Sequence, residues 1–385
     1  MWSLSAGVHH LNHGSFGAVP LEVQQAQSMW RARWEENPTK FVMSEMGPAV
    51  QVARDSLAEF LGAESEALAP VRNASQGVAA VVRSIEPLLG AGDEIVTTSQ
   101  DYNAVRQTLE YAATRTGAKV RVVDVPFPLE SPNVVTNAVL GSVGERCRLV
   151  VLDHITSPTG LIYPVERIVA ELEPEVPVLV DGAHGPGQVP LRLDALGASW
   201  YTGNLHKWFC APKGSAFLHT RTDRREMTVP TVISHGWNTP PGDRSRYLGL
   251  FDWTGTDDVT GWLVIPDVIR IVGGIDPGGW PALMKRNHEM VMGARDDICA
   301  ALGIVAPAPD EMIGSMCAIP LPDHEGDDPG GIDSPLGRHL LEEGFETVVS
   351  IWPRWPHQLL RISAHAYNTP DEYRELAMRL SEQAG

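Results

Sequence analysis

The first half of the chain alternates between short apolar runs and segments with the 3.6-residue period of an amphipathic helix. The helical pattern covers 21–36, 48–62 and about 78–89, after which strands and helices follow one another in turn. Strands are predicted at Glu94–Thr98, Lys119–Asp124, Leu149–Asp153 and Val176–Asp181, and helices at Tyr102–Thr116 and Val165–Glu173. Because these strands are continuously apolar, they predict an α/β fold with a largely parallel sheet covered by helices on both faces.

The second half predicts a different arrangement. Residues 229–262 are rich in Gly, Pro and Trp, which predicts an ordered connecting segment between the sheet and the helices that follow. Helical patterns cover roughly 258–272 and 280–302. A composition change near Gly303–Pro309 predicts a domain boundary. Beyond it we expect a small α+β domain, with strands at Met316–Leu321, Thr347–Ile351 and Leu359–Ser363 and helices at Pro335–Glu343 and Asp371–Gln383. The predicted division is therefore an N-terminal segment (1–20), a large domain (21–302) and a small C-terminal domain (303–385).

Composition narrows the class of protein. At 385 residues the chain is long enough for two packed domains, and its net charge of −18 argues against nucleic acid as a partner. No run of 18 apolar residues predicts a membrane span, and the first residues lack the basic start of a secretory signal. The four cysteines are scattered without a CxxC pair, which predicts a cytoplasmic protein and no metal site from cysteine spacing.

The candidate chemistry centres on Lys207, which lies between His206 and Trp208 in the segment Tyr201–Gly214. The chain has only five lysines, and burial in an apolar, aromatic setting would lower the pKa of this one. A neutral amine is what a Schiff base with a carbonyl cofactor such as pyridoxal 5'-phosphate (PLP) requires. A half-buried lysine beside a turn fits this segment equally well.

Ligands of open α/β sheets bind at the carboxyl ends of the strands. Four polar segments follow predicted strands, namely Asp101–Asn103, His154–Gly160, Asp181–His184 and the segment around Lys207. Asp181 closes an apolar strand, where a carboxylate is costly without a cationic partner, and a protonated pyridine nitrogen would serve. The alternative is an aspartate that caps a helix or a turn.

Other polar positions allow two interpretations. Asn73–Gly77 precedes a helix, so it is either an ordinary cap or a phosphate-binding helix start. Arg361, inside an apolar strand, is either a clamp for a substrate carboxylate or half of a salt bridge within its domain. The histidines of residues 9–13 and the acidic group at 323–328 match no metal-ligand spacing, so no metal is predicted.

Taken together, these segments resemble the class V aminotransferase family of fold-type I PLP enzymes, in particular its isopenicillin N epimerase-like branch. The resemblance implies a mostly parallel seven-stranded sheet, a small C-terminal α+β domain, PLP as cofactor and an N-terminal segment that lines the active site. The similar segments follow the family's order along the chain, and they are Leu11–Pro20, Asn73–Gly77, Asp101–Ala104, His154–Gly160, Asp181–Gln188, Tyr201–Gly214, Trp253–Asp258 and Leu360–Thr369.

The resemblance also implies roles for single residues. Lys207 would hold the cofactor and move protons at Cα, and Asp181 would pair with the pyridinium nitrogen. His184, with Ser157 or Thr156, would lie near the phenolic oxygen, and Tyr102 would stack on the ring. The phosphate would be held by Ala74, Ser75, Asn204 and His206. Thr256 would reach the phosphate of a neighbouring subunit, which implies a homodimer with shared sites. Arg361 would bind the substrate α-carboxylate, and Asn12 and His13 would line the substrate pocket.

The resemblance leaves several reactions open. The region that carries a nucleophilic cysteine in the family's desulfurases, about 324–334 here, has none, and Cys317 falls in a predicted strand. We therefore expect an enzyme of specialised metabolism, such as antibiotic biosynthesis, that acts on an amino acid as a C–S lyase, eliminating the β-substituent of a cysteine S-conjugate. An epimerase is the alternative, followed by a transaminase or decarboxylating deaminase, and a PLP-binding regulator is expected less. Elimination comes first because no second base for two-sided proton exchange is evident.

Overall fold

A seven-stranded sheet forms the centre of the molecule. The computed structural model describes residues 1–173, 175–238, 245–323 and 334–384. Six of its strands run in the same direction, and one, Ala216–Thr220, runs opposite to them next to one edge of the sheet. The predicted mostly parallel seven-stranded sheet is thus confirmed. In spatial order its strands are Leu68–Val71, Ala216–Thr220, Trp200–Asn204, Val178–Asp181, Cys147–Asp153, Glu94–Thr98 and Lys119–Val123.

Helices cover both faces of this sheet, as the apolar strands predicted. The helices of eight or more residues are Leu21–Glu36, Met46–Leu61, Ala74–Ile85, Asn103–Thr116, Pro132–Ser142, Val165–Leu172, Ile265–Gly273, Gly279–Leu302, Pro335–Glu342 and Pro370–Ala384. Shorter ones lie at His13–Phe16, Pro38–Lys40, Leu193–Leu196, Arg246–Phe251 and Thr260–Leu263, with a π-helical turn at Phe41–Glu45. The predicted 258–272 helix is interrupted, since Thr260–Leu263 and Ile265–Gly273 are separate. The helix Pro132–Ser142 was not predicted.

The helix Ala74–Ile85 packs unusually close to the sheet. Its apolar face buries Val78, Val81 and Val82, and Gly77 faces Thr202 on the neighbouring strand. A Cβ at position 77 would come within 2.1 Å of the Thr202 side-chain oxygen, so only glycine allows this approach. The close packing holds the first turn of the helix at the carboxyl edge of the sheet, beside Asn204.

A small antiparallel sheet follows the long helix Gly279–Leu302. Its strands are, in spatial order, Val348–Ile351, Gln358–Ser363 and Met316–Leu321, and the helix Pro370–Ala384 packs against the long helix. These elements match the predicted α+β arrangement of the C-terminal part, whereas the exact domain division stays a prediction. Within the predicted acidic loop, residues 324–333 lie outside the described residues.

The N-terminal segment joins the small sheet to the Lys207 segment. His9–His10 pairs in parallel with Phe345–Glu346, and Ser363 donates its backbone N–H to Leu11 O at 2.8 Å. Gly17, at φ 68°, lies so close to the Lys207 segment that a Cβ there would fall 2.3 Å from His206 O. The chain start is therefore fixed beside the candidate lysine. Among the described residues, no helix combines the length and apolarity needed to cross a membrane.

Candidate active site

One cavity at the carboxyl edge of the large sheet collects most of the predicted site residues. Four loops that follow parallel strands contribute to it, together with the N-terminal segment and the start of the helix Ala74–Ile85. Parallel strands end at the same edge, which is why segments far apart in sequence meet there. The cavity is lined by Ser15, Phe16, Asn73, Ala74, Ser75, Tyr102, Asp153, Ile155, Ser157, Asp181, Ala183, His184, Asn204, His206 and Lys207.

The Lys207 amine is held next to His184 in an arrangement that fixes where the protons lie. Lys207 Nζ is 3.1 Å from His184 Nε2, and the indole N–H of Trp208 donates to His184 Nδ1 at 3.2 Å. An indole nitrogen can only donate, so His184 Nδ1 is an acceptor and the imidazole carries its proton on Nε2. That proton points at Lys207 Nζ, which must then accept it as a neutral amine.

Burial shifts both groups towards their neutral forms. It lowers the pKa of Lys207 to about 8, an effect that the nearby Arg361 reinforces and that Asp181 opposes. Burial also lowers the pKa of His184 well below its ordinary value, with Lys207 and Arg361 adding to the shift. The lysine is therefore available as a nucleophile and a base near neutral pH, as the sequence predicted from its apolar setting.

Asp181 ends the central strand Val178–Asp181 and is almost fully buried. Its Oδ1 accepts the backbone N–H of Ala183 at 2.9 Å. Burial raises the pKa of this carboxyl to about 6, while the Ala183 N–H and Lys207 oppose the rise. A cationic ring nitrogen at this position would favour the carboxylate further, which suits the role that the resemblance assigns to Asp181.

The helix start opposite these residues is built to hold an anion. Asn73 caps the helix by accepting the Gln76 N–H at 2.8 Å, and Ala74 N–H donates to Asn204 Oδ1 at 2.8 Å. His206 donates from Nδ1 to Ser215 O at 3.1 Å, which fixes its ring beside Asn204. The helix is twelve residues long, so its first turn directs a positive dipole to the cavity, and Ser75, which lines the cavity, has a first-turn N–H that neither of these bonds occupies. This is the predicted phosphate end.

Arg361, on the small sheet, lies directly behind the cavity lining and holds two of its residues, Ser157 and Ser15. Its Nη1 donates to Ser157 O at 2.6 Å, and its Nη2 donates to Ser15 Oγ at 2.7 Å and Asn12 Oδ1 at 3.2 Å. The guanidinium is buried, its Nε has no hydrogen-bond partner in the part of the chain that the structure describes, and burial lowers the pKa of Arg361 to about 10. Among the described residues no acidic side chain forms an ion pair with it, so the salt-bridge alternative finds no support there.

Five predicted residues lie outside the cavity lining, and Asn12 and Arg361, described above, are two of them. His13 is buried behind the lysine, where its Nε2 donates to Lys207 O at 3.1 Å and its ring stacks on His365. Thr156 is buried within its own loop, with its hydroxyl against Thr159 and the Leu161 N–H. Thr256 lies on the surface of this chain. Their assigned roles stay predictions.

Sequence reasoning missed two polar residues of the cavity. Ser15 contacts Arg361, and the sequence offered only its position three residues after Asn12. Asp153 ends the strand Cys147–Asp153 just as Asp181 ends its own, so the argument used for Asp181 could have identified it.

The residues present fit PLP. A neutral lysine, a buried acid and an anion-binding helix start surround one cavity, and they match the aldehyde, ring nitrogen and phosphate of this cofactor. Bound there, PLP would supply an electron sink for the bonds to Cα of an amino acid. Lys207 would hold its aldehyde carbon, Asp181 its ring nitrogen, and Ala74, Ser75 and Asn204 its phosphate.

Comparison with known proteins defines the class of enzyme. The class-V aminotransferase family model matches residues 18–376, and the chain belongs to this family. It is a PLP-dependent enzyme. The fold is also that of solved relatives: a cysteine desulfurase from Thermococcus onnurineus NA1 superposes with a TM-score of 0.78 at 17% identity, covering 98% of this chain and 94% of the other. The cystine C–S lyase C-DES superposes with a TM-score of 0.77 at 20% identity, covering 98% of each chain.

Two curated relatives are similar in sequence over nearly the whole chain. Isopenicillin N epimerase from Amycolatopsis lactamdurans is 35% identical, with 99% of this chain and 96% of the relative covered. Putative L-cysteine desulfhydrase 2 from Oryza sativa subsp. japonica is 30% identical, with 96% of this chain and 83% of the relative covered. The two names belong to an isomerase and a C–S cleaving enzyme, so a PLP-dependent lyase or epimerase is the class that they support.

Proposed function

We propose that this protein is a PLP-dependent C–S lyase that eliminates the β-thiol of a cysteine S-conjugate in specialised metabolism. The observation that carries the proposal is the Lys207 amine, which lines the cavity beside His184, while Arg361, a buried arginine directly behind the lining, has no acidic partner among the described residues. Such a site can bind an amino acid by its carboxylate and remove the proton from its Cα.

The steps assigned to the chain's own residues are few. Arg361 binds the α-carboxylate through its planar guanidinium. Lys207 removes the Cα proton as a general base, and Asp181 keeps the electron sink protonated at its ring nitrogen. The C–S bond then breaks and the electron pair leaves on sulfur, which takes a proton to become a thiol. Addition of water to the remaining three-carbon fragment gives pyruvate and ammonia.

The titratable groups of the cavity favour elimination over epimerisation. Epimerisation needs a second acid on the other side of Cα, whereas elimination needs one base. Among the described cavity residues, Asp153 and Asp181 lie at the ends of sheet strands, and His206 is bound to Ser215 O. His184 is bound to Lys207 and Trp208, which leaves the phenol of Tyr102, 47% exposed, as the candidate for the second acid that epimerisation would need.

Epimerisation is the second candidate because of the 35% identity to isopenicillin N epimerase. Substrate panels of cysteine S-conjugates and other L-amino acids in deuterated water distinguish the two reactions. Elimination predicts pyruvate and ammonia in equal amounts, and epimerisation predicts deuterium at Cα with loss of chirality. The variant Tyr102→Phe should retain elimination, whereas loss of Cα exchange in this variant would favour the epimerase.

The first test of the proposal is cofactor attachment. Purified protein with PLP should be yellow, and Lys207→Ala should lose both that absorption and borohydride trapping of the cofactor. Lys285→Ala is the matched control, because this lysine is exposed on the long helix and pairs with Glu289. A wild-type protein that stays colourless and does not respond to added PLP would contradict the proposed function.

A further inference from the structure

Two carboxyl groups lie side by side at the sheet edge of the cavity. Asp153 and Asp181 are in register on adjacent parallel strands, and both line the cavity. Residues in register on neighbouring strands point to the same face of a sheet. The cavity therefore contains a second buried acid besides the one assigned to the cofactor nitrogen.

The two acids differ in their partners. Asp181 accepts the Ala183 N–H, whereas Asp153 is 4% exposed and its Oδ2 has no hydrogen-bond partner among the described residues. No ion pair joins Asp153 to a lysine or arginine in the described part of the chain. An isolated buried carboxylate is costly, and a buried acid that lacks a partner avoids this cost by keeping its proton.

The groups around Asp153 make a second negative charge less favourable still. Asp181 faces it from the next strand, and Asp101 approaches from the loop after the strand on its other side. Asp101 is held in an ion pair with Arg106, so that arginine is already engaged. Tyr163 is also nearby, and its buried hydroxyl lies against Thr98. Lys207 is the nearby basic group; burial lowers its pKa to about 8 and His184 Nε2 lies 3.1 Å from its amine, so it opposes the protonation of Asp153 only in part.

We propose that Asp153 is a neutral, cofactor-facing carboxylic acid, so that Asp153 and Asp181 together carry a single negative charge, which resides on Asp181. The unpartnered oxygen of Asp153 offers an O–H donor to the occupant of the cavity. With this arrangement, the single carboxylate charge on Asp181 would pair with the single positive charge of a protonated cofactor ring nitrogen. Consistent with this geometry, burial first and then Asp181 and Asp101 raise the pKa of Asp153 well above its ordinary value. The identity of the occupant rests on the proposed function, but the protonation of Asp153 does not.

Infrared spectroscopy of the cofactor-free protein tests the protonation directly. The C=O stretch of a protonated carboxyl is separate from the carboxylate bands, and we expect it at neutral pH in the wild type. It should shift on labelling with ¹³C-aspartate and disappear in Asp153→Asn. The control Asp194→Asn should keep the band, because Asp194 accepts hydrogen bonds from His219 and the Glu64 N–H and its pKa is lowered. Wild-type protein without an aspartic-acid band would overturn the proposal, and the labelling result does not depend on any variant folding.

Titration of the protein with PLP tests whether Asp153 and Asp181 together carry one negative charge. Asp153→Asn keeps a neutral donor of similar shape, so its PLP affinity should stay within about threefold of the wild type. Asp153→Leu removes the donor and should weaken PLP binding about tenfold, whereas Asp181→Asn removes the charge and should weaken it about 100-fold. An Asp153→Asn protein that loses as much PLP affinity as Asp181→Asn would show that the carboxylate charge of Asp153 is needed, which contradicts the inference. Protein that binds no PLP in any form would instead refute the proposed function, while the infrared result would still stand.

Discussion

Trp208 decides which ring nitrogen of His184 carries the proton. Its indole N–H occupies Nδ1, so the Nε2–H of His184 donates to the Lys207 amine. Without this bond the imidazole could place its proton on Nδ1 and accept from a charged ammonium at Lys207 instead. Trp208 is therefore a positioning residue, which acts on the lysine through the histidine.

Trp208→Phe keeps an aromatic ring and removes the N–H. The neutral fraction of Lys207 grows as the pH rises through its pKa, so the rate of PLP attachment should rise with a midpoint near pH 8 in the wild type. In Trp208→Phe, an accepting Nε2 would stabilise the ammonium and should raise this midpoint by about one pH unit. The measurement is the rate of the absorbance change after PLP addition as a function of pH.

Trp200→Phe is the control for this experiment. Trp200 is equally buried, and its indole N–H donates to Thr228 Oγ1 at 2.9 Å, with no contact to His184 among its described hydrogen bonds. We expect its midpoint to remain that of the wild type. An unchanged midpoint in Trp208→Phe would show that the tautomer of His184 does not depend on the indole.

Arg361→Ala should separate substrate binding from cofactor binding. The variant loses a buried guanidinium that is positioned for a carboxylate, so amino-acid affinity should fall by about 2–3 kcal/mol, or roughly 30- to 150-fold. The yellow colour of the bound cofactor should remain. Spectral titration with an amino-acid substrate measures both, and Arg270→Ala, an exposed arginine paired with Glu22, is the control. Unchanged substrate affinity would remove Arg361 from this role.

At the scale of single residues, the sequence could predict candidates whose environment is unusual. A lysine among aromatic residues and a carboxylate that ends an apolar strand are visible without a structure. The hydrogen bond from Trp208 to His184 is not, because it joins two loops whose relative position depends on the packed sheet. Among the described residues, Arg361 has no acidic partner and Asp153 Oδ2 has no hydrogen-bond partner. Both are properties of packing, which a linear pattern does not contain.

At the scale of elements, Gly77 couples the helix Ala74–Ile85 to the sheet. In Gly77→Ala, the added methyl group would collide with Thr202, so the helix start must move away from Asn204. We expect a loss of about 1–3 kcal/mol in the free energy of unfolding together with weaker PLP binding. Urea unfolding of the cofactor-free protein and PLP titration measure the two effects.

Gly293→Ala is the matched control within the long helix Gly279–Leu302. A Cβ at position 293 meets no atom within 4 Å, so this substitution should stabilise the protein by about 0.5–1 kcal/mol through lower chain entropy. If the free energy of unfolding falls in Gly77→Ala and rises in Gly293→Ala, close packing, and not helix propensity, is the reason that position 77 requires glycine. A Gly77→Ala protein as stable as Gly293→Ala would contradict this account.

Two of the strands that the sequence pattern did not predict belong to the large sheet, and each escaped prediction for its own physical reason. Leu68–Val71 is a four-residue edge strand that contains Pro70, and proline is tolerated only where a ladder N–H is not needed. Ala216–Thr220 follows the Lys207 segment and pairs antiparallel on both sides. The alternation of strands and helices that revealed the parallel strands is absent here, since no helix separates the strands Trp200–Asn204 and Ala216–Thr220.

At the scale of the whole molecule, several surface features are consistent with a homodimer, which we propose. Thr256 is exposed next to Gly255, which has a φ of 130°, and Asp257 forms an ion pair with Arg72 just before the anion-binding helix start. Large apolar side chains near this helix are also exposed, with Val232 at 51% and Trp237 at 52%. A second subunit that covers this surface would bury them and would bring its own Thr256 towards the phosphate end of the cavity.

Shared sites can be tested by mixing two inactive variants. Lys207→Ala lacks the attachment lysine, and Thr256→Asp places a negative charge where the phosphate is expected, so each alone should bind little or no PLP covalently. If Thr256 acts across the interface, one of the two sites in a mixed dimer combines an intact Lys207 with an intact Thr256. Mixed dimers, isolated after co-expression by two affinity tags, should then regain PLP that borohydride can trap. If Thr256 acts within its own chain, every site in the mixed dimer keeps a defect. The control is Thr114→Asp, because Thr114 is exposed on the helix Asn103–Thr116, and this variant should bind PLP like the wild type. If the mixed dimers recover no trapped cofactor, the shared site is contradicted.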